Sequence, residues 1–151
     1  MKAPQKIRVL FVCLGNSCRS PMAEAIARQD APDLWEVSSG GLTPLGFVAE
    51  LTIETLAKNN YRAGSLDSKP VMHAHWQEVD LVINMSGIEK HSVFEEYGKV
   101  EDWMVEDPYD SDPETYQRVF EDIRARVTDL AGRLRNSHKA NSSPAKLDSA
   151  E

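Results

Sequence analysis

Short apolar runs alternating with helix-period stretches leave this chain few folds to adopt. Ile7 to Val12 reads IRVLFV, rich in β-branched residues, and predicts a buried strand. Leu34 to Ser38 and Val79 to Met85 predict two more strands, and Val100 to Met104 a short further one. Helix signals lie between them. Ser20-Pro21 has the N-cap and first-turn pattern and opens a helix to about Gln29. Ala49, Ile53, Leu56 and Ala57 share one face of a helix over Ala49 to Asn60. Ser86 and Glu89 have capping-box spacing, for a helix ending near Gly98. Asp112-Pro113 opens a long amphipathic helix marked by Tyr116, Val119, Phe120, Ile123, Val127, Leu130 and Leu134. Such alternation predicts a parallel sheet covered on both faces. Ligands of such sheets bind beyond the carboxyl ends of the strands, and the loop after the first strand lies at one.

The 151 residues suit a single domain, expected over 1–135. The stretch 136–151 is rich in Ser, Asn, Ala and Lys, loses the helical rhythm, and is expected to be a disordered tail. Lys and Arg number 17 against 24 Asp and Glu, a net charge of -7. That balance argues against a nucleic-acid partner, so an anionic substrate must be held by a local positive feature. The polar start and the short run Val9 to Val12 predict neither a secretory signal nor a membrane span, hence a cytoplasmic protein. Oligomeric state is left open between a monomer and a weak dimer. Cys13 and Cys18 sit too close together to staple distant segments, which points to catalysis or redox sensing.

The chemistry is concentrated in Cys13-Leu14-Gly15-Asn16-Ser17-Cys18-Arg19-Ser20. A loop from a strand into a helix can turn its backbone N–H groups inward as a nest for a tetrahedral oxyanion, at the positive end of the helix dipole. The same field favours a thiolate at Cys13. Arg19, six positions after Cys13, can grip two phosphate oxygens with its planar fork. Ser20 can donate a hydrogen bond to the sulfur. Phosphoryl transfer to Cys13 and then to water needs no metal or cofactor if the nest and Arg19 hold the charge. The leaving phenolate needs a general acid, and Asp107, held extended by Pro108, is the candidate, with Tyr109 as an aromatic wall.

These residues resemble the low-molecular-weight protein tyrosine phosphatases. The resemblance rests on VLFVCLGNSCRSP followed by MAEAIAR, and extends through Trp35 to Gly40, Asp80-Leu81-Val82 and Asp107-Pro108-Tyr109. It implies an α/β three-layer sandwich with a four-stranded parallel sheet flanked by helices. It also implies a phosphotyrosine-containing protein as substrate, Cys13 as nucleophile, Arg19 as phosphate clamp and Asp107 as acid. Leu14, Gly15, Ser17 and Cys18 would line the phosphate loop. Asn16 would hold that loop in shape with Ser39 supporting it, and Ser20 would donate to the thiolate. Cys18 resembles the loop cysteine that can form a reversible disulfide with Cys13. The chain departs from the family at Leu66, where a histidine is frequent, and at Ser86, where an aspartate is. The stretch from Ser86 to Glu106 is also shorter than in animal members. Leu45 or Phe47 is expected as a further pocket wall.

Plainer readings compete at several positions. Cys18 also suits simple packing in the loop, and Asp107 a turn start. Asp110 reads as solvated and Asp112 as a helix cap. His73, His75 and Trp76 read as surface and packing, His91 and His138 as exposed, Arg124 and Arg126 as a solvated face. Two other functions fit less well: a thiol-coupled arsenate reductase, for which no cysteine follows Cys18, and a phosphoprotein-binding module, against which Cys13 and Asp107 speak.

Overall fold

The structure, a computed structural model, describes residues 6–64, 66–71, 78–94 and 98–141, with side chains to residue 137. Four strands form one parallel sheet: β1 (Ile7–Cys13), β2 (Trp35–Gly41), β3 (Leu81–Asn84) and β4 (Val100–Asp102), in the order β2-β1-β3-β4. The helices are α1 (Arg19–Asp30), α2 (Glu50–Lys58) and α3 (Pro113–Asn141). This is the expected α/β arrangement around a four-stranded parallel sheet.

The alternation along β1 divides the core. Val9, Phe11 and Cys13 face a large cluster that takes Met22 and Ile26 from α1, Leu56 from α2, and Tyr116, Phe120, Ile123 and Leu130 from α3. Leu10 and Val12 face the opposite side, where they form a second cluster with Val82 and Val100 of the neighbouring strands and with Val71, Val79 and Phe94. All three α-helices therefore pack on one face. The described cover of the other comes from connecting segments and the 3-10 turn at Lys90–Ser92. In α3 the side chains at the predicted rhythm from Tyr116 to Leu130 are buried, and Leu134 partly so, because a single apolar stripe meets the core. Burying a Phe120-sized side chain contributes about 1.5–3 kcal/mol.

Several sequence expectations change. The α1 helix begins at Arg19 with Cys18 at the N-cap position and no side-chain cap, so Ser20 is not the cap. Its hydroxyl is committed to Cys13 instead. The α2 face is rotated: Thr52, Thr55 and Leu56 are buried, whereas Ile53 and Ala57 are exposed. The rotation follows from Thr52, whose hydroxyl reaches into the loop after β1.

The helix predicted from Ser86 shrinks to the 3-10 turn among the described residues. Ser86 donates to Asn84 Oδ1 at 2.8 Å and accepts from Ile88 N at 3.1 Å, closing a local turn that a helix cannot share. Gly87, at φ 88°, completes that turn. Asp112 does cap α3, accepting from Thr115 N at 2.8 Å.

The α3 helix continues through 136–141, and the remainder of the expected tail lies outside the described residues. So do His73, His75, Trp76 and the side chain of His138. His91 is exposed and pairs with Glu89, and Arg124 is exposed beside the Phe120 ring. Arg126 is not merely solvated. It bonds Asp122 and the Met104 carbonyl and lies 5.9 Å from the Trp103 ring centroid, tying α3 to the segment after β4.

Candidate active site

The β1 strand sits between β2 and β3, so the chain steps to one side of it for β2 and crosses to the other for β3, and the strand order reverses beside its carboxyl end. Cys13 is the last residue of β1, placed at that switch point, and the loop to α1 curls above it. The loop's carbonyls are spoken for from outside. Leu42 N donates to Cys13 O, Thr43 N to Leu14 O and Leu45 N to Gly15 O, at 3.1, 2.8 and 3.0 Å. Ser68 Oγ also donates to Gly15 O, at 2.9 Å. Ser17 O accepts from Ala49 N at 3.1 Å and Thr52 Oγ1 at 2.9 Å. In a trans peptide the N–H points opposite to its carbonyl. Outward carbonyls at positions 13, 14, 15 and 17 therefore turn the next N–H groups inward, over Cys13. Asn16, at φ 49°, supplies the left-handed residue that lets the loop close.

Cys13 is 2% exposed. Its sulfur lies 2.9 Å from Ser20 Oγ and accepts from Ser20 N at 3.4 Å. Asn16 Nδ2 donates to Ser20 Oγ at 2.8 Å and Ser39 Oγ at 3.0 Å, while Asn16 Oδ1 accepts from Lys69 N at 2.8 Å. Asn16, Ser20 and Ser39 are wholly buried behind the loop.

Arg19 folds back from the first turn of α1. Nη1 donates to Val105 O at 3.3 Å, and Nη2 lies 3.5 Å from Asp107 Oδ2. Arg19 Nε and Ser17 Oγ are buried without a partner among the described residues, two polar atoms that an oxyanion in the loop would satisfy. Asp107 is about half exposed, and its Oδ1 accepts from Tyr109 N at 3.1 Å. The Asp-Pro turn thus exists, and it directs the same carboxylate toward Arg19.

These groups line one cavity of about 190 Å³, with Cys13, Ser17, Cys18 and Arg19 in the loop and Asp107 opposite. Leu14, Leu45 and Tyr109 form partly exposed apolar flanks. Of the two wall candidates, Leu45 lines the cavity and Phe47 does not. Asp110, at φ 64°, is exposed in the turn after Tyr109. Leu66 packs against the core and Ser86 closes its own turn, so neither reaches the cavity.

Cys18 is a buried free thiol 3.4 Å from the Tyr116 hydroxyl. Burial pushes its pKa up, partly offset by the hydrogen bond with Tyr116, and burial likewise raises Tyr116. Among the described residues no cluster of three or more His, Cys, Asp or Glu is arranged for a metal ion.

Sequence reasoning missed four contributors: Glu24, Thr52, Ser68 and Gly41. A Cβ on Gly41 would lie 2.9 Å from Leu14 O and 3.0 Å from Asn16 N. The Gly40-Gly41 pair was the available signal. Its second glycine marks where the loop rests on β2, and its first lies against Pro70 and Val71.

Comparison with known proteins shows what the whole chain is similar to. The model of the family described as low molecular weight phosphotyrosine protein phosphatase matches residues 8–140. A putative arsenate reductase of Halobacterium salinarum is 29% identical over 135 residues, covering 86% of this chain and 94% of that protein. The Staphylococcus aureus low molecular weight protein-tyrosine-phosphatase PtpB is 27% identical over 137 residues, covering 82% of this chain and 96% of its own. The crystal structure of a low molecular weight protein tyrosine phosphatase from T. tengcongensis superposes with a TM-score of 0.77 at 29% identity, over 85% of this chain and 99% of that one. With a family match over most of its length, on a fold shared with a solved member, the chain belongs to the low molecular weight phosphotyrosine protein phosphatase family.

Proposed function

We propose that the protein hydrolyses phosphotyrosine in proteins, and small aryl phosphates, through a phosphocysteine at Cys13. The observation that carries this reading is the convergence of the Cys13 sulfur, the Arg19 guanidinium and the Asp107 carboxylate on one cavity beneath apolar flanks. Phosphate oxygens accept from the inward N–H groups of the loop, from Ser17 Oγ and from Arg19. The aryl ring lies between Leu14, Leu45 and Tyr109. Cys13 attacks phosphorus in line with the leaving oxygen, the phosphorus–oxygen bond breaks, and Asp107 gives its proton to that oxygen. Asp107 then takes a proton from water, whose oxygen attacks the phosphocysteine, and the sulfur leaves as a thiolate that Ser20 stabilises. The chemistry is mostly positioning and charge stabilisation.

The test is hydrolysis of p-nitrophenyl phosphate and of a phosphotyrosyl peptide in the presence of a chelator. The native chain is expected to turn both over and Cys13→Ser to turn over neither. Ordinary rates in Cys13→Ser would sink the reading.

Arsenate reduction is the second reading, favoured by the similarity to a protein named as a putative arsenate reductase. Both cysteines of this chain lie in the loop, so electrons would have to come from an external thiol. Arsenate-dependent oxidation of glutathione or reduced thioredoxin by the protein, without aryl phosphate hydrolysis, would put this reading first.

A further inference from the structure

A row of hydrogen bonds runs from the Cys13 sulfur to the back of α1 and ends on a charge. Glu24 lies one helical turn after Ser20, with its side chain 8% exposed. An ionised carboxylate only accepts, so the single hydroxyl hydrogen of Ser39 goes to Glu24 Oε1. The Ser39 oxygen is then left to accept one hydrogen of the Asn16 amide. The other hydrogen of that amide goes to Ser20 Oγ, in an orientation also held by Lys69 N on Asn16 Oδ1. Ser20 has one hydrogen left, and it faces Cys13 Sγ. With the Ser39 hydrogen committed to Glu24 and the Asn16 amide donating one hydrogen to each serine, the Ser20 hydrogen is left for the sulfur.

The same carboxylate is a liability, because an uncompensated buried negative charge opposes a thiolate at the other end. Its cation is Arg28, four residues on along α1. Arg28 Nη2 bonds Glu24 Oε2 and reaches Val37 O at 3.3 Å. The Arg28 side chain is 51% exposed and lines no part of the active cavity.

We propose that Arg28 is a positioning residue for the nucleophile, acting through the buried Glu24–Ser39–Asn16–Ser20 row that aims the Ser20 hydroxyl at Cys13. The proposal rests on the reading of Cys13 as nucleophile. An i,i+4 pair on a helix surface normally contributes little. This one differs because its acid is buried and joined to the reacting sulfur, so removing the base leaves that charge uncompensated.

The experiment compares the full native chain with Arg28→Ala, Arg28→Gln and Arg28→Lys. Each is measured for kcat and KM on p-nitrophenyl phosphate, for melting temperature, and for the rate of alkylation by iodoacetate, with the alkylated cysteine located by mass spectrometry. Arg28→Ala and Arg28→Gln are expected to lower both kcat and Cys13 alkylation about fivefold, the weight of one ordinary hydrogen bond. KM should stay within about twofold, since no substrate contact is lost. Arg28→Lys keeps the cation and should restore both rates.

Unchanged kcat and alkylation in the neutral variants would overturn the proposal. So would a fall in kcat without a fall in alkylation, a change confined to KM or melting temperature, or an Arg28→Lys as impaired as Arg28→Ala. If the native chain is alkylated at Cys13 yet hydrolyses no aryl phosphate, the hydrolase reading fails by itself. The alkylation ratios still decide the role of Arg28.

Discussion

At the residue scale, one side chain serves two partners that the reaction must separate. Asp107 lies 3.5 Å from Arg19 and is fixed by Tyr109 N, yet half of it faces solvent. A carboxyl group so placed can, when protonated, hand its proton outward to a leaving oxygen while Arg19 turns its fork to the phosphate. Asp107→Asn keeps the shape and removes the acid. It is expected to lower kcat by about 10²–10⁴-fold. The loss should be steepest for aryl phosphates whose phenols have high pKa, because those leave least readily unprotonated. A series of substituted phenyl phosphates checks this, and equal losses across the series would remove Asp107 as the acid. Cys13, Arg19 and Asp107 were legible in the sequence because each carries a type of chemistry at a telling spacing. Glu24 was not, since a glutamate on a helix reads as solvated until the fold shows what covers it.

At the element scale, the loop owes its shape to neighbours more than to itself. The α2 helix gives up part of its apolar face so that Thr52 can hold Ser17 O, and β2 ends in a glycine so that the loop can lie on it. Replacing Gly41 with alanine forces a Cβ against the Leu14 carbonyl and the Asn16 amide. Small displacements of reacting groups are costly, so Gly41→Ala is expected to lose on the order of 10²-fold in kcat. Gly41→Ala should still melt cooperatively with the helical content of the native chain. A variant with native kcat would show that the contact between loop and β2 does not set the geometry. The turn at Ser86 shows the limit of local signals. Its capping-box spacing is real, but the Asn84 carboxamide and Gly87 take the same groups for a turn. The α3 stripe was legible because its seven apolar positions keep one period over several turns.

For the whole molecule, the surface charges set how it responds to acid. Asp33, facing Arg135, Glu89, bonded to His91, and Asp112, bonded to Thr115, all lie below the ordinary carboxyl range. At Glu101 burial pushes upward, but hydrogen bonds from Arg133 and Trp103 bring the net shift down. A depressed carboxyl binds fewer protons folded than unfolded. Its stabilisation is therefore present above the ordinary values of 3.8 for Asp and 4.5 for Glu, and is lost as pH falls through the lower folded values. The melting temperature is expected to hold steady from pH 7 to about 5, then fall below about 4. Added salt should lower the plateau only slightly, because most of these pairs are exposed and already screened. A melting temperature that rises below pH 4 would contradict this assignment.

The sequence by itself determined the parallel α/β class and singled out Cys13, Arg19 and Asp107 as the candidates for nucleophile, clamp and acid. Periodicity and the C-x5-R spacing are local properties, and the functional group each side chain carries is set by its residue type. Only the tertiary structure decided which strand is central, which face carries the helices, and which distant residues hold the loop. Those depend on strand order and on contacts such as Ser17 with Thr52 and Asn16 with Ser39, separated by 35 and 23 positions. No local pattern encodes such pairs, because they form only when burial forces each polar group to find a partner.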